Sequence, residues 1–285
     1  MEQDISDKGH NSMSDFLITY IIMKYQIKFY LKTRRFIAMF AIIMLITSLT
    51  VILDFYTGIS NIQLTDPTSS NFIISGLGGV VISCGIVSAF FGGDATSIET
   101  GTNSGYYIMV QPVRKISILS GRFLAAFLMG FMLILIEYAG VAAMSQYIYG
   151  TIEWRIIYSI GEMALLVIAF TALAFFFSSL FKSPLIGILV SVIMFLVFFS
   201  LLDSILAFTS IEPWFSLYYG GQVVTEIISS APVVHSTTNS FAKGKFTITI
   251  YNPYIWEGNL IMIGYAVVSI VLSYIIFLKK EVRPQ

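Results

Sequence analysis

The chain has 285 residues, of which 56% are hydrophobic and only 11% charged, and its mean hydropathy is +0.84. Soluble domains carry about 25% charged residues, so a water-soluble enzyme is excluded; sixteen basic and sixteen acidic side chains cancel to a net charge of zero and leave no nucleic-acid footprint. The lone Cys84 can form neither an intrachain disulfide nor a cysteine metal cluster, and His10 and His235 lie in polar stretches, so no metal site is expected.

What remains is an all-α membrane protein. Residues 1–35 read as a polar N-terminus with a helix over Ser14–Thr33, free of Pro and Gly, on which Lys24, Lys28 and Lys32 form one basic stripe. Phe16, Tyr20, Met23, Ile27 and Leu31 flank the stripe on one side, and Ile18, Ile22, Tyr25 and Phe29 lie on the far side. Such a helix suits the headgroup layer, its lysines snorkelling toward water. It either anchors the chain there or also docks its second apolar stripe on the bundle or a partner.

Residues 36–278 form one membrane unit. A spanning helix needs about 20 apolar residues, and six stretches meet that: Phe36–Phe55, Phe72–Phe91, Gly121–Gln146, Ile157–Phe177, Leu185–Phe208 and Leu260–Leu278. The first lies too far from Met1, behind too polar a lead, for a cleaved signal. Of the 16 basic residues, only Arg155, Lys243 and Lys245 fall on the side opposite the termini. The positive-inside bias therefore predicts both termini in the cytoplasm, with 279–285 as a cytoplasmic tail of a cell-membrane protein.

In the second span, Ser75, Gly79 and Ser83, and then Gly85, Ala89 and Gly93, form two small-residue series that suit close helix packing, within the bundle or against a partner. The following segment, Gly92–Ser120, is the longest cytoplasmic stretch between spans. Thr96 and Glu99 have capping-box spacing, Gly101 breaks the turn, and Pro112 closes a second short piece running from Thr102 to Val110. Two short helical pieces projecting from the membrane are predicted, either as a plain connector or as a partner site.

Phe181-Lys182-Ser183-Pro184 is a tight turn. Between spans five and six, Thr209–Asn259 carries the aromatic run Pro213-Trp214-Phe215-Ser216-Leu217-Tyr218-Tyr219. Trp and Tyr favour the membrane boundary, so this external segment either lies on the outer leaflet or re-enters it. Phe246–Tyr251 reads as a short strand or hairpin arm.

Four acids fall in the spans or at their edges. At about 1.5 Å per residue, Asp54, Glu137 and Asp203 lie roughly 24–27 Å from the cytoplasmic ends, and Glu162 about 7 Å below its outer end. Either each reaches the outer headgroups, or together they line a water-filled outer vestibule. No Walker A loop, His-Glu-x-x-His or Gly-x-Ser-x-Gly occurs, so catalysis by this chain is not expected.

Asp94, Ile98-Glu99-Thr100-Gly101-Thr102, Pro112-Val113-Arg114 and Ile118-Leu119-x-Gly121-Arg122 together resemble the loop of ABC-2 type permeases. Arg114 follows Val113 one residue early for that pattern, Arg122 stands where Lys is usual, and Asn103–Tyr107 replaces a leucine-rich run. The finish Phe277-Leu278-Lys279-Lys280-Glu281-Val282 is similar to the family's as well. The resemblance implies the permease subunit of an ATP-binding-cassette exporter. Its N-terminal helix would be an interfacial connecting helix. The loop between spans two and three would be a coupling helix contacting a separate ATPase subunit through Ile98, Glu99, Gly101, Thr102 and Tyr107. Two permease chains, identical or different, would pair along spans one and five. ATP and Mg would then be bound by the partner, with no cofactor in this chain. The competing class is a secondary transporter or channel that uses the outer carboxylates.

Overall fold

The computed structural model describes residues 2–95, 114–181, 183–229, 232, 234–241 and 246–279. Among them six helices are long and apolar enough to cross a membrane: Phe36–Leu53, Ser69–Gly92, Lys115–Tyr149, Ile156–Leu180, Pro184–Thr209 and Ile255–Phe277. These are spans 1 to 6, and all six sequence-predicted spans are present. Span 3 starts at Lys115 rather than Gly121. Its 35 residues make a helix about 52 Å long at 1.5 Å per residue, against a hydrocarbon core of about 30 Å. Counting only apolar residues gives a shorter span, because the helix starts at the charged Lys115, ahead of the continuous apolar stretch. Gly150, with φ +71°, closes the other end in the left-handed conformation that stops a helix cleanly.

Spans 2, 3 and 4 form the centre, with 61%, 56% and 67% of their apolar windows covered, against 17%, 22% and 28% for spans 1, 5 and 6. Lipid gives helices no hydrophobic reason to associate, so close packing of small side chains does the work. Span 4 supplies Ala169, Ala172, Ala174, Ser178 and Ser179, all buried. One apolar core joins Leu77 and Cys84 of span 2, Leu133 of span 3, Leu166 and Phe170 of span 4 and Phe195 of span 5.

Two spans are interrupted. Span 2 consists of Ser69–Gly76 and Val80–Gly92, separated by a turn in which the Gly78 amide donates to Ser75 and the Val80 amide to Leu77. Span 5 contains one π-helical stretch, Met194–Phe198, between Pro184–Ile193 and Phe199–Thr209. That extra residue per turn turns Phe195 inward onto Phe170, ring centroids 4.8 Å apart, and against Gly85. The series Gly85, Ala89, Gly93 therefore packs within the bundle, against span 5. The other series does not behave as one face: Ser83 is buried, while Ser75 and Gly79 are exposed.

Among the described glycines, the closest approach of one backbone to another joins the end of span 2 to span 5. A Cβ on Gly187 would stand 2.3 Å from the Gly93 carbonyl oxygen, and one on Gly93 would stand 2.8 Å from the Ile188 Cα. Backbone meets backbone there.

The N-terminal helix runs from Glu2 to Lys32, so it begins twelve residues ahead of the predicted Ser14. Its docked face is neither of the two predicted stripes. Ile22, Met23, Ile27 and the buried Tyr30 turn toward the bundle, whereas Phe16, Tyr20, Tyr25 and Leu31 are exposed together with Lys24, Lys28 and Lys32.

Between spans 5 and 6 the chain dips into the bundle. Trp214 stays outside, while Leu217 and Tyr219 are fully buried. Gly221 reaches Leu166 of span 4 and Val81 of span 2. Leu166 lies ten residues inside span 4, about 15 Å at the helical rise. The return climbs the same helix: Ser159 donates to the Val224 carbonyl at 2.5 Å, and Arg155 to that of Ser229. The segment is re-entrant. Beyond it, Ser236–Phe241 and Phe246–Tyr251 pair antiparallel, Ser236 opposite Tyr251 and Phe241 opposite Phe246, so the predicted strand is present.

Gly187→Val should disrupt the crossing of spans 2 and 5, because overpacking costs about 1–3 kcal/mol. Thermal unfolding in detergent should show a lowered midpoint for this variant and none for Gly161→Ala, where a Cβ meets nothing within 4 Å.

Candidate functional site

The inner ends of the bundle, those that carry most of the basic residues, hold the loop that the sequence marks as a partner site. Ile98, Glu99, Gly101, Thr102 and Tyr107 lie outside the described residues, as does the predicted capping box, but the two flanks of the loop are in view. Span 2 ends at Gly92 and leads through Gly93 and the buried Asp94 to Ala95. Span 3 begins at Lys115, with Arg114 as its N-cap.

Three contacts hold those flanks. Arg122, buried seven residues into span 3, donates from Nη1 to the Ala95 carbonyl at 2.6 Å. A buried charged donor of this kind is worth more than a surface pair. Arg114 pairs with Asp15 of the N-terminal helix at 2.6 Å; this pair is largely exposed and contributes less than about 1 kcal/mol. The Tyr30 hydroxyl donates to the Phe91 carbonyl at 2.9 Å, and the Tyr30 ring meets Phe91 edge-on at 5.2 Å. Gly121 makes the arrangement possible, since a Cβ there would stand 2.8 Å from the Thr19 carbonyl oxygen and 2.9 Å from the Ile22 side chain. The N-terminal helix thus lies backbone-close along the start of span 3.

Sequence reasoning treated Arg114 and Arg122 only as basic anchors and motif positions. Their partners, Asp15 and Ala95, are 99 and 27 residues away, and no local pattern announces such contacts. Gly121 was recognised as a motif position, but its packing role depends on where the N-terminal helix comes to rest.

The outer acids occupy different surroundings. Glu137 is buried on span 3 beside Ser83 and Cys84 of span 2, and its Oε2 has no hydrogen-bond partner among the described residues. Its neighbour Tyr138 bonds Ser159 of span 4 at 2.7 Å. Glu162 on span 4 accepts from Asn259 Nδ2 of span 6 at 3.2 Å. Asp203 on span 5 faces Ser216, Tyr218 and Tyr265, and neither of its carboxyl oxygens is hydrogen-bonded among the described residues. Asp54 falls on the first span's helix, Arg34–Thr57, its side chain outside the described set. A fifth acid that the sequence did not single out, Glu226, is half-buried at the end of the re-entrant segment, where burial raises its carboxyl above the usual carboxylate range.

Two cavities flank these elements. One of about 340 Å³ opens between spans 1, 2 and 3 near the outer end, lined by Thr50, Asn61, Asp66, Phe72, Ser75 and Met144 among others. A second, of about 280 Å³, lies toward the inner end between spans 3, 4 and 6, lined by Phe123, Phe175, Ile270 and Tyr274.

A family model described as ABC-2 family transporter protein matches residues 20–282. The chain belongs to the ABC-2 transporter family. The match takes in the docked part of the N-terminal helix, the loop and all six spans, so this multi-pass membrane protein is a permease of an ABC transporter. A comparison with curated proteins found no match. In this permease Arg122, Gly121 and Tyr30 fix the flanks of the loop to the N-terminal helix and to span 3.

Replacing Arg122 by Met removes a buried charged hydrogen bond, worth about 1.5–3 kcal/mol. Ala95, whose own amide donates to Gly92, should then exchange its amide hydrogen at least about tenfold faster, as read by hydrogen-exchange mass spectrometry. Asp15→Asn should change it far less.

Proposed function

We propose that this permease is the passive membrane half of an ABC exporter. Two permease chains, identical or different, form the substrate pathway between them. A separate subunit binds ATP and Mg and hydrolyses the nucleotide. That subunit docks on the loop 96–113, with Ile98, Glu99, Gly101, Thr102 and Tyr107 at the contact. Export is the direction that the resemblance implies.

The observation that carries this reading is the way the flanks of the loop are held. A loop that merely connects two spans has no need of a buried arginine gripping one flank and a docked helix gripping the other. Force applied to the loop passes through Arg122 to span 3, and through Gly93 and Gly187 to span 5, before it reaches the pathway. Spans 1 and 5 are the least covered by their own chain, which suits them to face a second permease. The lysine stripe on the exposed side of the N-terminal helix suits contact with anionic headgroups.

The buried carboxyls support a second element of the proposal. Glu137 and Asp203 each keep unbonded oxygen at membrane depth, a costly arrangement unless water or a passing solute reaches them. With Asp54 and Glu162 they would line an outer vestibule on the exit route. Glu137→Gln and Glu137→Leu should both slow export in cells; unchanged export in both removes the vestibule.

Affinity purification of the tagged permease from its native membrane tests the main reading. An ATP-hydrolysing subunit should co-purify with the intact chain and be lost when 96–110 is shortened, while the shortened chain still inserts and melts normally. Retention of that subunit by the shortened chain would place the contact elsewhere.

A further inference from the structure

Away from the proposed coupling face and the outer acids, one further cluster of chemically competent side chains stands at the opposite end of the bundle. Glu212 follows span 5 by three residues, His235 precedes the first strand of the hairpin, and Glu257 sits in the first turn of span 6. More than twenty residues separate each from the next, yet one ligand atom of each lies within 4.8 Å of the other two. His235 Nε2 stands 3.5 Å from Glu212 Oε2. All three are partly exposed, on the end of the bundle opposite most of the basic residues.

Each of the three is oriented by a group outside the cluster. His235 Nδ1 lies 3.0 Å from the Asn252 carbonyl oxygen. A carbonyl only accepts, so Nδ1 carries the hydrogen and Nε2 is turned toward the carboxylates. The imidazole also stacks on Tyr254, with centroids 4.7 Å apart and planes 8° from parallel. The Tyr219 hydroxyl donates to Glu212 Oε1 at 2.7 Å, leaving Oε2 toward His235. The Tyr254 amide donates to Glu257 Oε2 at 3.1 Å. A carbonyl fixing the tautomer of a ligating histidine, and a donor fixing one oxygen of each carboxylate, are the outer-shell contacts that metal ligands recurrently have.

An ordinary ion pair does not account for the group. Among the described residues neither Glu212 nor Glu257 is paired with Lys or Arg. Two carboxylates converge on one imidazole, which even when protonated neutralises only one of them. A divalent cation neutralises both. Ligands on opposite sides of an ion bound at about 2.1 Å stand about 4.2 Å apart, so closure around a metal needs only small side-chain movements.

We propose that Glu212, His235 and Glu257 form a binding site for a divalent transition metal of the zinc class on the outer face. One imidazole nitrogen and two carboxylate oxygens suit zinc or a neighbouring borderline ion over magnesium or calcium, which take oxygen alone. The ion would tie the end of span 5 to the start of span 6 through the base of the hairpin, and so brace the re-entrant segment, whose Tyr219 already holds Glu212.

Tag-free, full-length permease in detergent, with Cys84→Ser to remove the thiol, is titrated with zinc by calorimetry and its metal content is read after dialysis. One equivalent should bind, and zinc should raise the unfolding midpoint. His235→Ala and Glu257→Gln should each abolish that equivalent and the midpoint rise. Tyr219→Phe should keep the stoichiometry and weaken affinity about tenfold, the usual cost of losing an outer-shell contact. Circular dichroism of the metal-free variants checks that they fold. Absence of zinc binding by the Cys84→Ser protein, or undiminished binding in folded His235→Ala and Glu257→Gln, would overturn the proposal, as would equal binding of magnesium.

Discussion

In hydrocarbon neither water nor a hydrophobic drive holds helices together, so this bundle depends on how closely its backbones approach. The contact on which the rest depends is that of Gly187 against the Gly93 carbonyl, where any side chain on span 5 would separate it from span 2. A similar contact, Gly121 under Thr19, brings the N-terminal helix onto span 3. Between them these two crossings put the end of span 2, the start of span 3, the start of span 5 and the N-terminal helix into one inner block. The loop between spans 2 and 3 emerges from that block, its flanks held by Arg122 and Asp15.

The outer half is built differently. Span 2 is broken near its outer third, span 5 carries a π-helical stretch at its midpoint, and the chain after span 5 dips back among spans 2, 4 and 6. Non-helical backbone at membrane depth is tolerated only where protein or water satisfies it. Here Ser159 and Arg155 do so for the returning limb. A closely packed inner block under an outer half made of interrupted segments would suit a permease driven from one side, as proposed above: displacement applied at the inner face would be relieved where the spans are already broken.

Much of this was legible in the sequence. Six apolar stretches and their basic flanks are unambiguous, because twenty apolar residues have few other uses. The strand Phe246–Tyr251 announced itself by alternation, and the motif around Gly101, Pro112 and Gly121 pointed to the ABC-2 family. What could not be read were contacts between residues far apart in the chain. The docked face of the N-terminal helix mixes both apolar stripes, since the position of Gly121, and not the helix's own pattern, decides which side turns inward. The trio Glu212, His235 and Glu257 was invisible for the same reason: hairpin register and the first turn of span 6 bring it together. Apolar counting also placed the start of span 3 at Gly121, because it cannot see a helix that continues beyond the lipid.

Packed backbone-close at Gly121, the N-terminal helix and the start of span 3 should move as one body. Spin labels at Lys24→Cys and Ile116→Cys, both exposed positions, in a Cys84→Ser background in lipid nanodiscs measure it directly by pulsed electron resonance. One narrow distance distribution is expected, which broadens when Gly121 is replaced by Leu. A broad or bimodal distribution in the protein with Gly121 intact would contradict it.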